Sequence, residues 1–345
     1  MKVHLNKNVF CDNTSQQDFD SLVNVITYKN RYDLYLDSDS FEKSGLYVNT
    51  ADYNKEIMKE AFVNSINMTI DKDVDCEIST KTITDTKRIY TVEEGITYLT
   101  MPLTIVLENE LNDGHFVEAI ISKFLPNDKK IDVGQYKSNN WLVFDGAGGK
   151  VNIPSKVESR YQSCGYKKKM LKLYVIFDSD KKFLGDSDKN VSLKEKLDEL
   201  SIPHHELEKR SIENYIPEEL FREEPFYCKA NSEWIDAYSY LSEQQKDYIS
   251  IAGGYSVDVK KEADNKSVPF KNRYFNRDQF DFIKDISLAN IEKLYGGLKD
   301  PRGNFKNNFP LLFNSADKRQ MLNRTAHQSD KDELYKIAKE IRDLL

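Results

Sequence analysis

The fold of this chain is decided by the stretch Val175-Ile176-Phe177-Asp178-Ser179-Asp180. Its apolar part begins at Leu173, and five apolar or aromatic residues in a row are typical of a strand buried on both faces of a parallel α/β sheet. Two carboxylates follow where the strand ends, which is where α/β sheets place their ligand sites. Carboxylates this close repel each other unless a cation lies between them, so the pattern predicts bound Mg²⁺.

Composition narrows the class of protein. The chain has 345 residues, enough for two domains, and a formal net charge of −7. That charge argues against a protein that coats DNA, but not against an acidic metal site bordered by local basic patches. The four cysteines include no Cys-x-x-Cys pair, so we expect neither a disulfide framework nor a zinc site. No span approaches membrane length, and we expect a reducing, cytoplasmic setting and no membrane partner.

The sequence divides into three regions. Residues 1–100 are polar with mixed signals, which predicts an α+β region of unknown role. It has a helix over residues 52–67 and short strands and turns over residues 70–98, with strands at 76–78 and 88–90. Residues 101–220 alternate between strands and helices, which predicts an α/β fold with a parallel sheet flanked by helices. Residues 221–345 are mainly helical. In the central region, strands are predicted at residues 103–107, 141–144, 171–177 and 204–207, and helices at 116–124, 155–162 and 191–200.

Segments outside the predicted sheet carry further expectations. The last helix is capped by Ser329 and has one apolar stripe, which predicts packing against the core. Residues 260–266 form a polar, exposed loop. The lysines at 167–169 and Lys172 indicate a solvated face, with a phosphate-contacting patch as the less favoured alternative. The stripe of the last helix consists of Leu334, Ile337, Ala338, Ile341 and Leu345.

Acidic side chains collect at the predicted strand ends. Glu108 ends the first strand of the central sheet, and Asp178 and Asp180 end the third. Because the carboxyl ends of parallel strands lie along one edge of a sheet, we expect these acids to converge, with Asp113 at the start of the next helix. Such a cluster suits phosphodiester chemistry, in which Mg²⁺ polarises the phosphate and activates a water or hydroxyl. A glutamate beside the metal can be a ligand or a general base, so Glu108 is also a catalytic candidate.

The order of these elements resembles a TOPRIM domain, the fold shared by topoisomerases, primases, small ribosomal-RNA maturases and OLD-family (overcoming lysogenization defect) nucleases. The resemblance covers residues 102–220 and is carried by the strand-end Glu of residues 103–109, by Asp113-Gly114 and by the Asp-x-Asp of residues 178–180. The glycine turn at residues 146–149 is similar to the turn after the second strand in OLD-like proteins. The segment 208–217, with Glu213 near its centre, looks like the stretch that follows their fourth strand.

The resemblance implies a set of metal ligands. Mg²⁺ or Mn²⁺ would be bound by Glu108, Asp178 and Asp180. Glu213 matches an acid that joins a second metal site in OLD-like enzymes. Many relatives have an acid four residues after the first Glu, whereas this chain has Asn112 there and its acid at Asp113. Either Asp113 is a ligand through a shifted loop, or the second site is weaker.

The resemblance also implies a function and a partner. The family uses a basic residue to stabilise the transition state, and Lys209, Arg210 and Lys284 are the candidates here. OLD nucleases carry an ATPase domain, but Gly146-Ala147-Gly148-Gly149-Lys150 lacks the spacing of a phosphate-binding loop, so we expect no ATP hydrolysis. What is implied is a metal-dependent nuclease that cleaves DNA or RNA beside a separate ATPase partner, as a toxin-like effector of bacterial anti-phage defence.

Two other functions stay open on the sequence. A haloacid-dehalogenase-like phosphatase also has a hydrophobic strand followed by Asp-x-Asp, with Asp178 as the nucleophile, although it leaves Glu108 without a role. A non-catalytic docking module would keep the sheet, bind no divalent metal and retain its biological activity after Glu108→Gln. The sequence does not choose between DNA and RNA as the substrate.

Overall fold

Two four-stranded parallel sheets, both flanked by helices, organise the chain as an α/β protein. The computed structural model describes residues 1–11, 14–36, 39–66, 75–81, 88–125, 131–255, 281–300 and 305–345. The α/β class predicted from the sequence is confirmed. The loop predicted at residues 260–266 lies outside the described residues.

The first sheet lies within residues 1–100. Its strands are β1 (Lys2–Leu5), β2 (Asp33–Leu36), β3 (Cys76–Ile78) and β4 (Ile89–Tyr90), in the order β2-β1-β3-β4 with parallel pairing throughout. The helices of this region are α1 (Gln16–Thr27), α2 (Gly45–Asn49), α3 (Asp52–Ser65) and α4 (Val92–Thr100). The helix predicted at residues 52–67 is confirmed, but the predicted α+β arrangement is corrected to a parallel sheet. Strands of two to four residues are too short to show the apolar run of such a sheet.

The second sheet follows the predicted pattern closely. Its strands are β5 (Leu103–Leu107), β6 (Leu142–Gly146), β7 (Leu173–Phe177) and β8 (His204–Glu206), all parallel, in the order β6-β5-β7-β8. Its helices are α5 (Glu110–Phe124), α6 (Val133–Ser138), α7 (Ile153–Ser163) and α8 (Val191–Glu199). Every residue of β5 and β7 is buried, as the continuous apolar runs predict. Helix α5 begins six residues before the predicted start because Asn109 caps it.

The strand order places a ligand-binding position at the carboxyl edge of the second sheet. The chain passes from β5 outward to β6 on one side, and then returns to β7 on the other side of β5. The carboxyl ends of β5 and β7 therefore flank the point where the strand order reverses, where α/β sheets form a crevice for ligands. Both Glu108 and Asp178 follow directly after these two strands.

Helices of the C-terminal region cover one face of the second sheet. They are α9 (Glu218–Phe221), α10 (Ser232–Ser239), α11 (Glu243–Tyr248), α12 (Leu288–Leu294), α13 (Phe305–Asn308), α14 (Leu312–Ser315), α15 (Lys318–Thr325) and α16 (Glu333–Leu344). The apolar stripe of α16 is buried in the core shared with β5 and α5, as predicted. The predicted cap is wrong: the helix begins at Glu333, with Asp332 at the N-cap position and no side-chain capping hydrogen bond. Ser329 lies four residues before the helix, and its backbone N–H and hydroxyl donate to Glu208. Within the described part of the chain, no helix has the length and apolar character needed to cross a membrane.

Two of the four lysines predicted to form a solvated face, Lys169 and Lys172, instead join the two sheets, whereas Lys167 is exposed. The Lys169 ammonium is buried and binds the Glu94 carboxylate of α4 at 2.5 Å. The Lys172 ammonium donates to the Tyr32 hydroxyl at 2.8 Å and is also buried. The prediction was wrong for these two lysines because their ammonium groups have partners in the first 100 residues, far away in sequence.

Candidate functional site

The ends of β5 and β7 bring two acids into contact. The backbone N–H of Asp178 donates a hydrogen bond of 3.0 Å to Glu108 Oε1. The two strands are direct neighbours, with Val106 opposite Val175. The convergence of Glu108 and Asp178 expected from the sequence is therefore present in the structure.

Asp178 lies at the centre of the acidic cluster, which we define as Glu108, Asp113, Asp178, Asp180 and Glu213. Burial raises the pKa of Asp178 well above its usual range, and the negative charges of the other four members raise it further. Charges that perturb one carboxyl group in this way must lie close to it. The Asp178 Oδ1 atom also accepts from the backbone N–H of Ile212 at 3.2 Å. The four other acids that the sequence analysis selected thus lie within electrostatic range of Asp178.

Asp113 reaches the cluster from the first turn of α5. Its Oδ2 atom accepts from the backbone N–H of Asn109 at 2.9 Å, and Asn109 is itself the cap of the helix. Burial raises the pKa of Asp113 to about 7; the Asn109 hydrogen bond opposes this rise, and the charges of Glu108 and Glu213 add to it. TOPRIM-like proteins often have this acid one position earlier, where this chain has Asn112. Asp113 nevertheless belongs to the acidic cluster.

Asp180 stands at the exposed side of the cluster and pairs with a lysine. Its backbone is left-handed, with φ of 55°, and its N–H donates to the carbonyl of Arg210 at 2.9 Å. Its carboxylate forms an ion pair with Lys150, whose ammonium also donates to the Asp178 carbonyl at 3.2 Å. Sequence reasoning misses Lys150 as a site residue. The signal that points to it is the glycine turn at residues 146–149, which brings the chain back to the sheet.

The two adjacent cations selected from the sequence have different surroundings. The Arg210 carbonyl accepts from the Asp180 N–H at 2.9 Å, and the guanidinium donates to the Tyr248 carbonyl at 3.3 Å. Burial lowers the pKa of the guanidinium, while the charges of Asp180, Glu213 and Asp178 raise it, so it lies within electrostatic range of the acidic cluster. The Lys209 side chain is fully buried elsewhere: its ammonium binds the Asp247 carboxylate and donates to a helix carbonyl at 2.7 Å. The structure therefore brings Arg210 to the cluster and keeps Lys209 out of it. Lys284, the third basic candidate, is exposed.

The donor chemistry of the cluster suits Mg²⁺ or Mn²⁺, because it consists of carboxylate oxygens. Five carboxyl groups are offset by two cations, Lys150 and Arg210, and burial first, then mutual repulsion, raises the pKa of three of those acids. Among the residues that the structure describes, no group of three or more His, Cys, Asp or Glu is arranged so that it could hold a metal ion as it stands. A carboxylate that accepts one backbone N–H keeps its second oxygen for a metal, but Asp180 pairs with Lys150. Binding a metal through Asp180 therefore requires this ion pair to open.

Comparison of the chain with family models, with curated proteins and with solved structures yields no match. The TOPRIM and OLD-like resemblance of residues 102–220 accordingly stays a prediction. The functional argument rests on the acidic cluster, its position at the sheet edge and the two cations beside it.

Proposed function

We propose that this protein is a divalent-metal-dependent nuclease that hydrolyses phosphodiester bonds in DNA or RNA. The observation that supports it is the contact between Glu108 and Asp178 at the carboxyl ends of β5 and β7, the position where an α/β sheet of this order accommodates a ligand. Asp113, Asp180 and Glu213 lie within electrostatic range of Asp178. Negative charge concentrated in a partly buried site is best offset by a divalent cation. The resemblance of residues 102–220 leads to the same proposal.

Each member of the site has a role in this proposal. Glu108, Asp178 and Asp180 would hold a first metal, Mg²⁺ or Mn²⁺, and Asp113 and Glu213 would hold a second. The metals would supply polarisation of the phosphate and activation of a water. Arg210 lies beside the acids, where its guanidinium can neutralise charge that develops on the phosphate. Lys209 takes no part, because Asp247 holds its ammonium in the interior.

The test is cleavage of labelled duplex DNA, single-stranded DNA and total RNA in Mg²⁺, Mn²⁺ or EDTA. We expect the Glu108→Gln, Asp178→Asn double variant to lose metal-dependent cleavage by at least about a thousandfold, because the ligands of the catalytic metal are gone. The matched control is Asp188→Asn, which removes an aspartate that pairs with Lys194 outside the cluster. Cleavage that persists in the double variant, or in EDTA, would contradict the proposal.

A second candidate is a non-catalytic docking module that keeps the sheet and binds no metal. It is favoured by one observation: Glu108, Asp113 and Asp178 already accept hydrogen bonds from backbone N–H groups. The melting temperature separates the two candidates, since a ligand that binds only the folded state raises it. A docking module shows the same melting temperature in EDTA and in 10 mM Mg²⁺, a concentration about a hundredfold above the dissociation constant of a strong site. A nuclease that binds the metal shows a higher melting temperature in Mg²⁺ than in EDTA.

The remaining expectations stay predictions of the sequence. A phosphatase requires Asp178 as an accessible nucleophile, and hydrolysis of a chromogenic phosphate ester that Asp178→Asn abolishes would support it. A separate ATPase partner and a role in anti-phage defence are implied by the resemblance. Co-purification of the chain with an ATPase encoded beside it would test the partner.

A further inference from the structure

The turn that follows β6 carries a lysine that the proposed mechanism has not used. Gly149 adopts φ of 115° and ψ of 151°, a conformation open in practice to glycine. At Gly146 a Cβ atom would lie 2.9 Å from the backbone nitrogen of Glu110, so the chain passes close to the start of α5 there. The two glycines set the path of the turn, and this path brings Lys150 to the acidic cluster.

The Lys150 ammonium lies among the acids of the cluster. It pairs with the Asp180 carboxylate and donates to the Asp178 carbonyl oxygen at 3.2 Å. The Lys150 side chain is 19% exposed, whereas the side chain of Asp180 is 51% exposed, so the ammonium is on the inner side of this pair. The charge and backbone N–H of Lys150 also oppose the rise that burial produces in the pKa of Glu108. Lys150 therefore pairs with the Asp180 carboxylate and lies within electrostatic range of the Glu108 carboxylate, while its contact with Asp178 is to the backbone carbonyl.

We infer that Lys150 is the built-in counter-ion of the acidic cluster, that a divalent metal displaces its ammonium, and that the displaced ammonium then binds a phosphate of the nucleic acid. This inference rests on the proposed function. A metal held by Asp178 and Asp180 brings two positive charges next to the ammonium, and like charges repel. The lysine stem is flexible and its three N–H donors suit a phosphate, so the ammonium turns towards the open side beside Asp180.

A lysine with a purely structural role would behave differently. If Lys150 only fastened the turn to β7, its removal would weaken the fold, the metal binding and the cleavage together. If Lys150 is a counter-ion that competes with the metal, its removal strengthens metal binding. The reason is that removing a competing positive charge raises the affinity of carboxylates for a divalent cation. Metal affinity and cleavage rate that move in opposite directions therefore identify the counter-ion.

The experiment compares the full chain with its Lys150→Met and Lys150→Arg variants. Mn²⁺ alone is titrated, and the rise in melting temperature gives the midpoint of metal binding without any substrate. For Lys150→Met we expect the midpoint to fall at least about fivefold, and cleavage at saturating Mn²⁺ to fall at least about tenfold. Lys150→Arg keeps the charge, so its midpoint stays within about twofold of the unchanged protein.

The matched control is Lys196→Met, which removes an ion pair with Glu158 between α7 and α8, away from the glycine turn. Its metal midpoint should equal that of the unchanged protein, and melting in EDTA shows that each variant is folded. An unchanged or raised midpoint in folded Lys150→Met would overturn the inference while leaving the nuclease proposal intact. If neither the unchanged protein nor any variant bound Mn²⁺, both the inference and the nuclease proposal would be overturned. Both would also be overturned if Mn²⁺ bound only after Lys150 was removed, because the unchanged protein would then not bind the metal.

Discussion

Burial separates two neighbouring cations, Lys209 and Arg210, that the sequence places side by side after β8. The Lys209 ammonium is enclosed with Asp247, and burial together with the charge of Arg324 lowers its pKa to about 7. The Arg210 guanidinium is only partly buried and stands beside the acids at the sheet edge. The chain bends at residues 208–211 after β8 ends at Glu206, and adjacent positions of the same charge acquire different surroundings there.

The separation of these two residues predicts different consequences of removing each. Arg210→Met should reduce cleavage at saturating metal about a hundredfold, because a cation near the phosphate is lost, with little change in stability. Lys209→Met should lower the free energy of unfolding by about 2 kcal/mol, because Asp247 loses a buried partner, and should leave the cleavage rate of the folded protein unchanged. Urea denaturation and single-turnover cleavage measure the two effects. Loss of cleavage in folded Lys209→Met would show that Lys209, and not Arg210, neutralises charge on the phosphate.

At the scale of elements, the turn between β6 and α7 depends on backbone conformation more than on space. A Cβ atom added at Gly149 would meet nothing within 4 Å, so the φ of 115° is the constraint there. Gly45, the first residue of α2, has equal space and no positive φ. The two glycines therefore form a matched pair that isolates the cost of the conformation.

Gly149→Ala should lower the free energy of unfolding by about 1–3 kcal/mol, the cost of holding a non-glycine residue in a sparsely populated conformation. It should also reduce cleavage, because the turn then no longer delivers Lys150 to the cluster. Gly45→Ala should raise stability by about 0.5 kcal/mol, because alanine restricts the unfolded chain. Denaturant melts of the two variants give both values. Equal stability of the two variants would show that the turn relaxes without cost.

At the scale of the whole molecule, polar contacts between distant segments join the two sheets. The Glu94 carboxylate of α4 binds the ammonium groups of Lys167 and Lys169, which precede β7, at 3.0 and 2.5 Å. The guanidinium of Arg31 donates to the carbonyl of Met101, between α4 and β5, at 2.9 Å. These contacts fix the first sheet against the domain that carries the acidic cluster.

The Glu94 contacts predict a pH dependence of stability. Burial raises the pKa of Glu94, but the hydrogen bonds from Lys169 and Lys167 outweigh it and lower the pKa from 4.5 to about 2. A lowered folded-state pKa gives stability that is present above the unfolded value near 4.5 and is lost as the pH falls towards 2. Glu94→Gln should therefore cost about 2–3 kcal/mol at pH 7 and almost nothing at pH 2.

The control for this pH dependence is Glu93→Gln, which changes an exposed acid one position earlier on α4. Its free energy of unfolding should match that of the unchanged protein across the same pH range. Urea melts at pH 7, 4 and 2 measure the difference between the two variants. If Glu94→Gln lowered the free energy of unfolding by the same amount at every pH, the side chain would stabilise the fold by packing and not by its charge.

Much of the second sheet and the acids at its edge could be predicted from the sequence. Strands β5 and β7 are buried on both faces, and their continuous apolar runs show this directly. The strand ends then place Glu108 and Asp178 at one edge, since parallel strands carry their carboxyl ends together. In the first sheet, the short strands β3 and β4 match strands predicted at residues 76–78 and 88–90. Strands β1 and β2 and the parallel pairing were not predicted, because runs of four residues carry little periodic signal.

The sequence by itself determined the buried strands of the second sheet and the acids that follow them, because local patterns of apolar residues report burial directly. Tertiary structure decided which charges act at the site. Lys150 reaches Asp180 from 30 positions away, Lys169 is drawn inward by Glu94 from 75 positions away, and Lys209 is sequestered by a helix. The physical reason is that the energy of a charge depends on its burial and on its partners, and partners this remote in sequence are brought together by the fold.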